Sequence, residues 1–204
     1  HFGARNDSPV FLEYSLDFFE NQFFPYCEEH NVTEIVHLGD FLDRRKYANF
    51  NTLTQVRERF VEPLERMGIT IHCILGNHDT YFRNTNKVNS LREVFSNTNS
   101  FRIYEKPELV RLDGVPFSFV PWINKENYEE SIKFIKDKSA NYLCGHFELN
   151  GYEVMRGVKF DGGMDPSIIA KYSMVLSGHF HSKHTKGNVH YLGTQYQLTF
   201  SDLN

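Results

Sequence analysis

Four times along this chain, a short apolar run ends in a glycine that is followed at once by residues able to bind a metal ion or transfer a proton. The four motifs are Gly39-Asp40-Phe41-Leu42-Asp43, Gly76-Asn77-His78-Asp79, Gly145-His146 and Gly178-His179-Phe180-His181. Such runs are typical of buried strands, and α/β sheets place their functional sites at the carboxyl ends of strands. The sequence therefore predicts that one carboxylate, one amide and four histidines meet at one sheet edge, as in a two-metal hydrolase.

The size and charge of the chain fit a single globular domain. Its 204 residues suffice for one well-buried core, and the formal net charge of −4 gives no overall basic surface for nucleic acid. A local basic patch remains compatible with that total. We find no apolar run near the roughly 18 residues of a membrane helix and no signal peptide, so we expect a cytoplasmic protein without membrane contact.

The cysteines and the chain ends support two further expectations. Cys27, Cys73 and Cys144 lack paired spacing, so we expect buried free thiols of a reducing compartment. The chain begins at His1 without a methionine and stops at Asn204 in a strand-like stretch. The sequence is therefore expected to be a fragment at both ends.

Helical and strand periodicities alternate along the chain. Helices are predicted over 10–31, 51–67 and 125–138, with Pro63 expected to kink or break the second helix and Gly68 to end it. Strands are predicted over 34–38, 69–75, 101–104, 109–112, 115–120, 141–144, 173–176, 189–192 and 196–200, a loop over 80–90, and a hairpin at Asp113-Gly114. Parallel units followed by hairpins predict an α/β fold with two mixed β-sheets sandwiched between helices.

The residue types in the motifs suit a pair of divalent metal ions. Such a pair needs a carboxylate that bridges both ions, and Asp40 follows a glycine at a strand end, where a bridge is expected. The ligands expected for one ion are Asn77, His146 and His179, and His181 is expected on the other ion. Imidazole and amide ligands favour manganese, iron or zinc over magnesium.

His78 lies beside a ligand without being needed as one. It is therefore predicted to act as a general acid or to donate to a phosphate oxygen, with Asp43 holding its imidazole in place. Each motif alone has a simpler explanation, since Gly-Asp is commonly a turn and Gly-Asn-His-Asp fits a helix cap. The four motifs in this order favour a metal centre. His37 and His72 are predicted to be ordinary sheet residues.

These motifs resemble those of the calcineurin-like metallophosphoesterases. Within that superfamily the chain is most similar to SbcD-type DNA repair and recombination nucleases, above all their tailed-phage recombination endonuclease form. The supporting strings are GDFLDRRK at 39–46, FVPWI at 119–123, GHFELNG at 145–151 and YLGTQ at 191–195. The resemblance covers nearly the whole chain and implies a four-layer fold.

The resemblance also implies the roles of individual residues. It implies that His78 is the catalytic histidine and that two manganese ions are bound by His1, Asp40, Asn77, His146, His179 and His181, with His1 and His181 on the second ion. The family opens with a core strand ending Asp-x-His, of which only the histidine, His1, is present here. We therefore expect one nuclease domain over 1–204 without its first strand and without the capping and partner-binding segments that follow it.

The predicted function is metal-dependent hydrolysis of DNA phosphodiesters. The resemblance implies 3′-to-5′ exonuclease and endonuclease activity, in a complex with an SbcC-type coiled-coil ATPase, in the host cytoplasm if the protein is phage-encoded. One alternative is a small-molecule phosphodiesterase or phosphatase of the same superfamily, and another is a non-enzymatic scaffold with an incomplete metal site. A protein phosphatase is disfavoured because Arg45 stands where that class has a glycine.

Two further features concern binding partners. The residues predicted to contact DNA, unless they are only a solvated charge run, are Arg44, Arg45, Lys46, Arg83, Lys87 and His184. The helix over 10–31 carries more apolar residues than one face against a sheet requires. It is either buried between the sheet and a neighbouring element or, as the resemblance implies, part of a homodimer contact that includes Phe18 and Phe19.

Overall fold

Two β-sheets lie face to face at the centre of the fold in the computed structural model, which describes residues 1–155 and 157–198. The first sheet is parallel, with the order β1-β2-β3, where β1 is Glu34–His37, β2 is Thr70–Ile74 and β3 is Phe101–Tyr104. The second sheet is mixed and consists of β4 (Glu108–Leu112), β5 (Val115–Val120), β6 (Tyr142–Gly145), β9 (Met174–Ser177), β10 (His184–Lys186) and β11 (Val189–Tyr191). A small hairpin pairs β7 (Glu153–Met155) with β8 (Val158–Lys159).

Three buried apolar clusters separate four layers. One joins the helices to the first sheet and includes Ile71 and Cys73 of β2, whereas the next residue, Ile74, belongs to the cluster between the two sheets. The third cluster covers the other face of the second sheet and includes Leu143 of β6, while the neighbouring Cys144 faces the first sheet. Because side chains alternate along a strand, both sheets are buried on both faces. The predicted α/β sandwich with helices on its two outer sides is confirmed.

The two long predicted helices are each interrupted by a wider turn. The first comprises α1 (Pro9–Phe18), a π-helical turn over Phe19–Phe23 and α2 (Phe24–Glu29). The second comprises α3 (Phe50–Val56), a π-helical turn over Arg57–Val61 and α4 (Glu62–Met67), and ends at Gly68 in the left-handed conformation. Proline follows each π-helical turn, where the wider spacing accommodates a ring that would clash with the carbonyl four residues before it. The second helix therefore continues through Pro63, and the irregularity expected there takes the form of the π-helical turn that directly precedes it.

The remaining predictions of secondary structure agree in most places. The hairpin at Asp113-Gly114 is confirmed, since both residues have positive φ angles, 47° and 78°, between β4 and β5. The third predicted helix is α6 (Tyr128–Asp137), and an additional helix, α5 (Ser90–Phe95), directly follows the predicted loop. Of the last predicted strand, residues 196–198 are irregular, and 199–200 lie outside the described residues.

One edge of the first sheet is open to a cavity. Among the described residues, β1 pairs with β2 alone, and its other edge borders a cavity of about 520 Å³ that is also lined by Phe2, Phe18 and Phe19. The cysteines are buried and free, as predicted, and none of the helices in the described part of the chain has the length and hydrophobicity needed to cross a bilayer.

Replacing Phe60 by Ala is expected to destabilise the fold strongly. The Phe60 ring is 2% exposed and meets the rings of Phe2, Phe19 and Phe41 at centroid distances of 5.5, 4.7 and 5.7 Å. Loss of this ring leaves a cavity that costs about 3–5 kcal/mol of unfolding free energy, measurable by chemical denaturation. Phe50, which is 86% exposed, is the matched control, and equal effects of the two substitutions would contradict this packing.

Candidate metal centre

The four motifs meet at the carboxyl ends of strands from both sheets. Asp40 follows β1, Asn77 follows β2, His146 follows β6 and His179 follows β9. His146 Nε2 lies 2.9 Å from Asn77 Oδ1, 3.2 Å from His179 Nδ1 and 3.3 Å from Asp40 Oδ2. The structure therefore brings together the residues that were predicted to surround the first ion.

The hydrogen bonds behind these residues identify which ring nitrogens face the centre. His146 Nδ1 is 2.7 Å from the carbonyl oxygen of Leu38, which can only accept, so Nδ1 donates and in the neutral ring Nε2 carries the lone pair. His179 Nε2 is 3.1 Å from Glu148 Oε1, which likewise leaves His179 Nδ1 as an acceptor. When both imidazoles are neutral, two ring lone pairs, the Asn77 carbonyl oxygen and the Asp40 carboxylate face one another. Such a set repels itself unless a cation lies between, so the donor set fits a divalent metal ion.

A second group of donors lies on the other side of Asp40. His1, Asp43 and His78 offer atoms within 4.8 Å of one another, and His1 Nε2 is 3.7 Å from Asp40 Oδ2. The His181 ring lies 5.0 Å from the His1 ring. Asp40 Oδ2 is therefore near both groups, as a bridging carboxylate must be.

Main-chain pairing positions His1, and a main-chain carbonyl positions His78. Phe2 forms a parallel bridge with Leu42, and this bridge holds the preceding His1 beside the first motif. His78 Nδ1 contacts the carbonyl oxygen of Asp43, whereas the sequence predicted a contact with the Asp43 carboxylate. That carboxylate instead lies 3.4 Å from His1 Nδ1.

The charges of the centre shift the pKa values of its groups. Burial alone would raise the pKa of Asp40, but the imidazoles of His146, His1 and His78 hold it below its usual range. Burial lowers the pKa of His37 to about 4, so this histidine remains neutral beside the centre. Asp40 is thus ionised over the physiological pH range, which suits a metal-bridging role.

Asp79 has a structural role that the sequence reasoning missed. Its fully buried carboxylate accepts hydrogen bonds from the main-chain amides of Asp40 and Gly76 at 2.8 Å and of Phe41 at 2.9 Å. Burial and the nearby Asp40 charge raise the pKa of Asp79 to about 6, while the amides oppose that rise. Asp79 therefore ties the first two motif loops together. In the sequence, the indication of this role was the position of Asp79 as the fourth residue of the Gly-Asn-His-Asp motif.

Glycines precede the ligands because the side chains of the centre occupy the space of a Cβ atom. A Cβ atom on Gly39 would lie 2.5 Å from His146 Nδ1, and one on Gly76 would lie 2.2 Å from Asp40 Oδ1. The ligands themselves have strained backbones, with φ angles of 59° at Asp40 and 82° at His179. Close packing thus fixes both the glycines and the direction of the ligands.

Two more residues lie at the centre that the sequence motifs did not identify. Glu148, two residues after His146, contacts the outer nitrogen of His179 as described above, and this contact lowers the pKa of Glu148. Trp122 follows β5, and its ring lies 5.5 Å from the His179 ring and 6.0 Å from the His146 ring. Both residues lie in the strings that carried the subfamily resemblance.

The predicted DNA-contacting residues fall into three groups. Arg44 is paired with Asp7 at 3.4 Å, and Lys87 is paired with Glu126. Arg45, Lys46 and Arg83 have no ion pair with a described residue. The His184 ring stacks on Tyr191 at 4.9 Å within a group of aromatic rings, so the structure does not bring it among the basic residues.

The two histidines predicted to be sheet residues have their own environments. His72 Nδ1 lies 2.8 Å from the Tyr104 hydroxyl, and its Nε2 lies 3.3 Å from Glu34 Oε1. His37 accepts a hydrogen bond from the Gly39 amide at 3.3 Å. Both are sheet residues with hydrogen-bond partners.

Replacing Glu148 by Ala is expected to weaken metal binding about 10- to 100-fold. Without the carboxylate, the proton of His179 is no longer held on Nε2 and the direction of its ring is no longer fixed. Trp122, the single tryptophan of the chain, lies close enough to His179 for its fluorescence to report a Mn²⁺ titration. Glu129, which is exposed on α6, is the control position. Unchanged affinity in Glu148→Ala would exclude this positioning role.

The whole chain is similar in sequence to a known protein. The family model described as "Calcineurin-like phosphoesterase" matches residues 13–183. The chain is 34% identical over 204 residues to "Exonuclease subunit 1" of Enterobacteria phage T4, an alignment that covers 100% of this chain and 59% of that relative. The chain therefore spans less than two thirds of the relative's length.

A solved structure described as "Structural and Functional Characterization of a Novel Archaeal Phosphodiesterase" is also similar. It shares 15% sequence identity, with a TM-score of 0.37, over 89% of this chain and 73% of that one. A TM-score of this size adds nothing to the sequence match.

Proposed function

Because the chain belongs to the calcineurin-like phosphoesterase family, we propose that it hydrolyses DNA phosphodiesters as the nuclease subunit of an SbcCD-type complex. The observation that carries the hydrolytic part of this proposal is the convergence of unprotonated donor atoms from four strand ends on both sides of Asp40. A non-enzymatic scaffold has no need of such a self-repelling arrangement. The proposal therefore favours an enzyme over the scaffold alternative.

The residues present fit two divalent metal ions, and we propose manganese because imidazole predominates among the ligands. Asn77, His146 and His179 would hold one ion, His1 and His181 the other, and Asp40 both. When bound, the ions would supply a nucleophile at neutral pH and neutralise charge on the phosphoryl oxygens. Asp43 and His78 belong to the same group of donor atoms as His1.

His78 is proposed to act on the leaving oxygen. Its Nδ1 is engaged by the Asp43 carbonyl, so Nε2 is the atom that gives or takes a proton. His78 is partly exposed, whereas His146 is buried. His1, His179 and His181 are also partly exposed, and His78 is distinguished from them because it is not needed as a metal ligand.

DNA is the proposed substrate for two reasons. The T4 relative is named as an exonuclease subunit, and Arg45, Lys46 and Arg83 provide positive charge next to the motif loops. A small-molecule phosphodiesterase remains the second candidate, because the same motifs serve that chemistry. The polarity of cleavage and the endonuclease activity rest on the resemblance alone.

The DNA substrate and the roles of Asp40 and His78 are tested together with a full-length protein. We expect Mn²⁺-dependent cleavage of end-labelled duplex and single-stranded DNA that is faster than hydrolysis of bis(p-nitrophenyl) phosphate, with Mg²⁺ supporting less activity. Asp40→Asn is expected to lose bound metal and activity together, because both donor groups share that carboxylate. His78→Asn is expected to keep metal on the Asn77 side and to lose turnover.

Metal analysis of each variant separates binding from catalysis, and closed circular DNA separates endonuclease from exonuclease activity. Asp40→Asn with its full metal content would exclude the bridging role. Hydrolysis of the small phosphodiester without cleavage of DNA would favour the small-molecule candidate.

Neutralising Arg45 and Lys46 is expected to weaken DNA binding and flatten its salt dependence. The slope of log K against log salt falls by about one unit for each phosphate that the protein no longer binds. Lys87→Gln is the control, because Glu126 already neutralises Lys87. A slope unchanged from that of the wild type would assign Arg45 and Lys46 to the ordinary surface.

The proposed assembly includes a homodimer and an SbcC-type coiled-coil ATPase, in the cytoplasm of the phage host. The relative's name describes a subunit, and the rest follows from the sequence resemblance. Phe19 packs on Phe2 and Phe60, and Phe18 lines the cavity beside β1. Both therefore face inward, and the large apolar residues of α1 that remain exposed for a second copy are Val10 and Tyr14, at 75% and 62%.

A further inference from the structure

The loop that follows the second motif exposes two adjacent aromatic rings. Tyr81 and Phe82 are 38% and 48% exposed, and their rings meet edge to face at a centroid distance of 4.7 Å. They follow His78 by three and four residues. Isolated apolar side chains are common on surfaces, but here two exposed rings are adjacent and closely follow a residue of the candidate metal centre.

Hydrogen bonds at its base fix the loop that carries the rings. The Tyr81 amide donates to the Val88 carbonyl at 2.9 Å, and Thr80 pairs with Asn89. The Asn86 side chain donates to the Trp122 carbonyl at 3.2 Å and accepts from Asn124 at 2.8 Å. The two rings are thus presented by an ordered backbone, which reduces the entropy that a ligand must remove on binding.

Positive charge lies beside the rings and extends toward the metal centre. Lys46 Nζ lies 5.1 Å from the centre of the Tyr81 ring. Arg45 is close enough to both Arg83 and Asp40 for their charges to act on it. Its Nη1 atom is buried and has no hydrogen-bond partner among the described residues. A buried guanidinium N–H next to a second guanidinium is costly until an anion arrives.

This combination matches the chemistry of single-stranded nucleic acid. A nucleobase stacks on an aromatic face, and the phosphate next to it binds a guanidinium or ammonium group. Bases within a duplex are already stacked on each other, so only an unpaired base can use such a surface. The charge next to the rings favours a phosphate-bearing strand over an uncharged apolar partner.

We propose that Tyr81 and Phe82 form a stacking platform for an unpaired base of single-stranded or frayed DNA, with Arg45, Lys46 and Arg83 binding the adjoining phosphates. The platform rests on the proposed nuclease function and specifies its substrate: a strand whose terminal bases are unpaired as it enters the metal centre. The rings supply base recognition without sequence preference, because every base has an aromatic face.

The test measures binding apart from catalysis. Anisotropy with metal removed compares a fluorescein-labelled oligothymidylate of about 12 nucleotides, within the usual site size, with an abasic oligonucleotide of the same length. The wild-type protein is expected to bind the base-containing strand about tenfold more tightly. Tyr81→Ala with Phe82→Ala is expected to remove that preference while leaving the salt slope unchanged, because the rings carry no charge.

Two controls separate stacking from general damage. Tyr26→Ala removes a tyrosine that is 58% exposed on α2 and is expected to behave as wild type, and Tyr81→Phe is expected to retain the base preference. Equal wild-type affinity for the two oligonucleotides would overturn the platform, as would a double variant that keeps the preference.

Activity measured on the same preparations distinguishes this proposal from the proposed function. Mn²⁺-dependent cleavage of DNA without any base preference would overturn the platform and leave the nuclease proposal intact. A base preference without cleavage would support the platform as a binding surface and contradict the nuclease proposal.

Discussion

The buried carboxylate of Asp79 is the interaction on which the metal centre depends. It accepts hydrogen bonds from main-chain amides of two loops that follow different strands, and so sets the separation of Asp40 and Asn77. A carboxylate in this position loses its hydration, which raises its pKa to about 6, and the amides compensate by stabilising the charge. These contacts involve only protein atoms, and they fix the two loops relative to each other.

Close packing fixes the position of the His146 ring. His146 is enclosed by Gly39, Gly76 and Gly178, each of which lacks the Cβ atom that would occupy the space of its ring. Its ring therefore has one orientation, and the Leu38 carbonyl selects one tautomer. The result is a donor set in which unprotonated atoms face each other at about the length of a hydrogen bond. A cation relieves this repulsion, and the preformed geometry lowers the reorganisation that binding and catalysis require.

Asp79 also connects the metal centre to the neighbouring surface. Its carbonyl oxygen accepts a hydrogen bond from the Ser90 amide at 2.8 Å, at the far end of the loop that exposes Tyr81 and Phe82. The same residue thus fixes the ligands through its side chain and the aromatic loop through its main chain. The proposed stacking surface and the candidate metal ligands are therefore linked through one residue.

The sequence by itself determined the layered fold and identified most of the candidate ligands that the fold brings together. Strand periodicity, the prolines and glycines at element ends, and the Asp113-Gly114 turn are local signals, and strands at β3 and β5 have the predicted bounds. Only the tertiary structure decided the roles of Asp79 and Glu148, because their partners lie in distant parts of the chain. It also turned Phe19 inward and neutralised Arg44 and Lys87 through Asp7 and Glu126. Pairings across the chain depend on which surfaces the fold brings together, and no local pattern of residues specifies them.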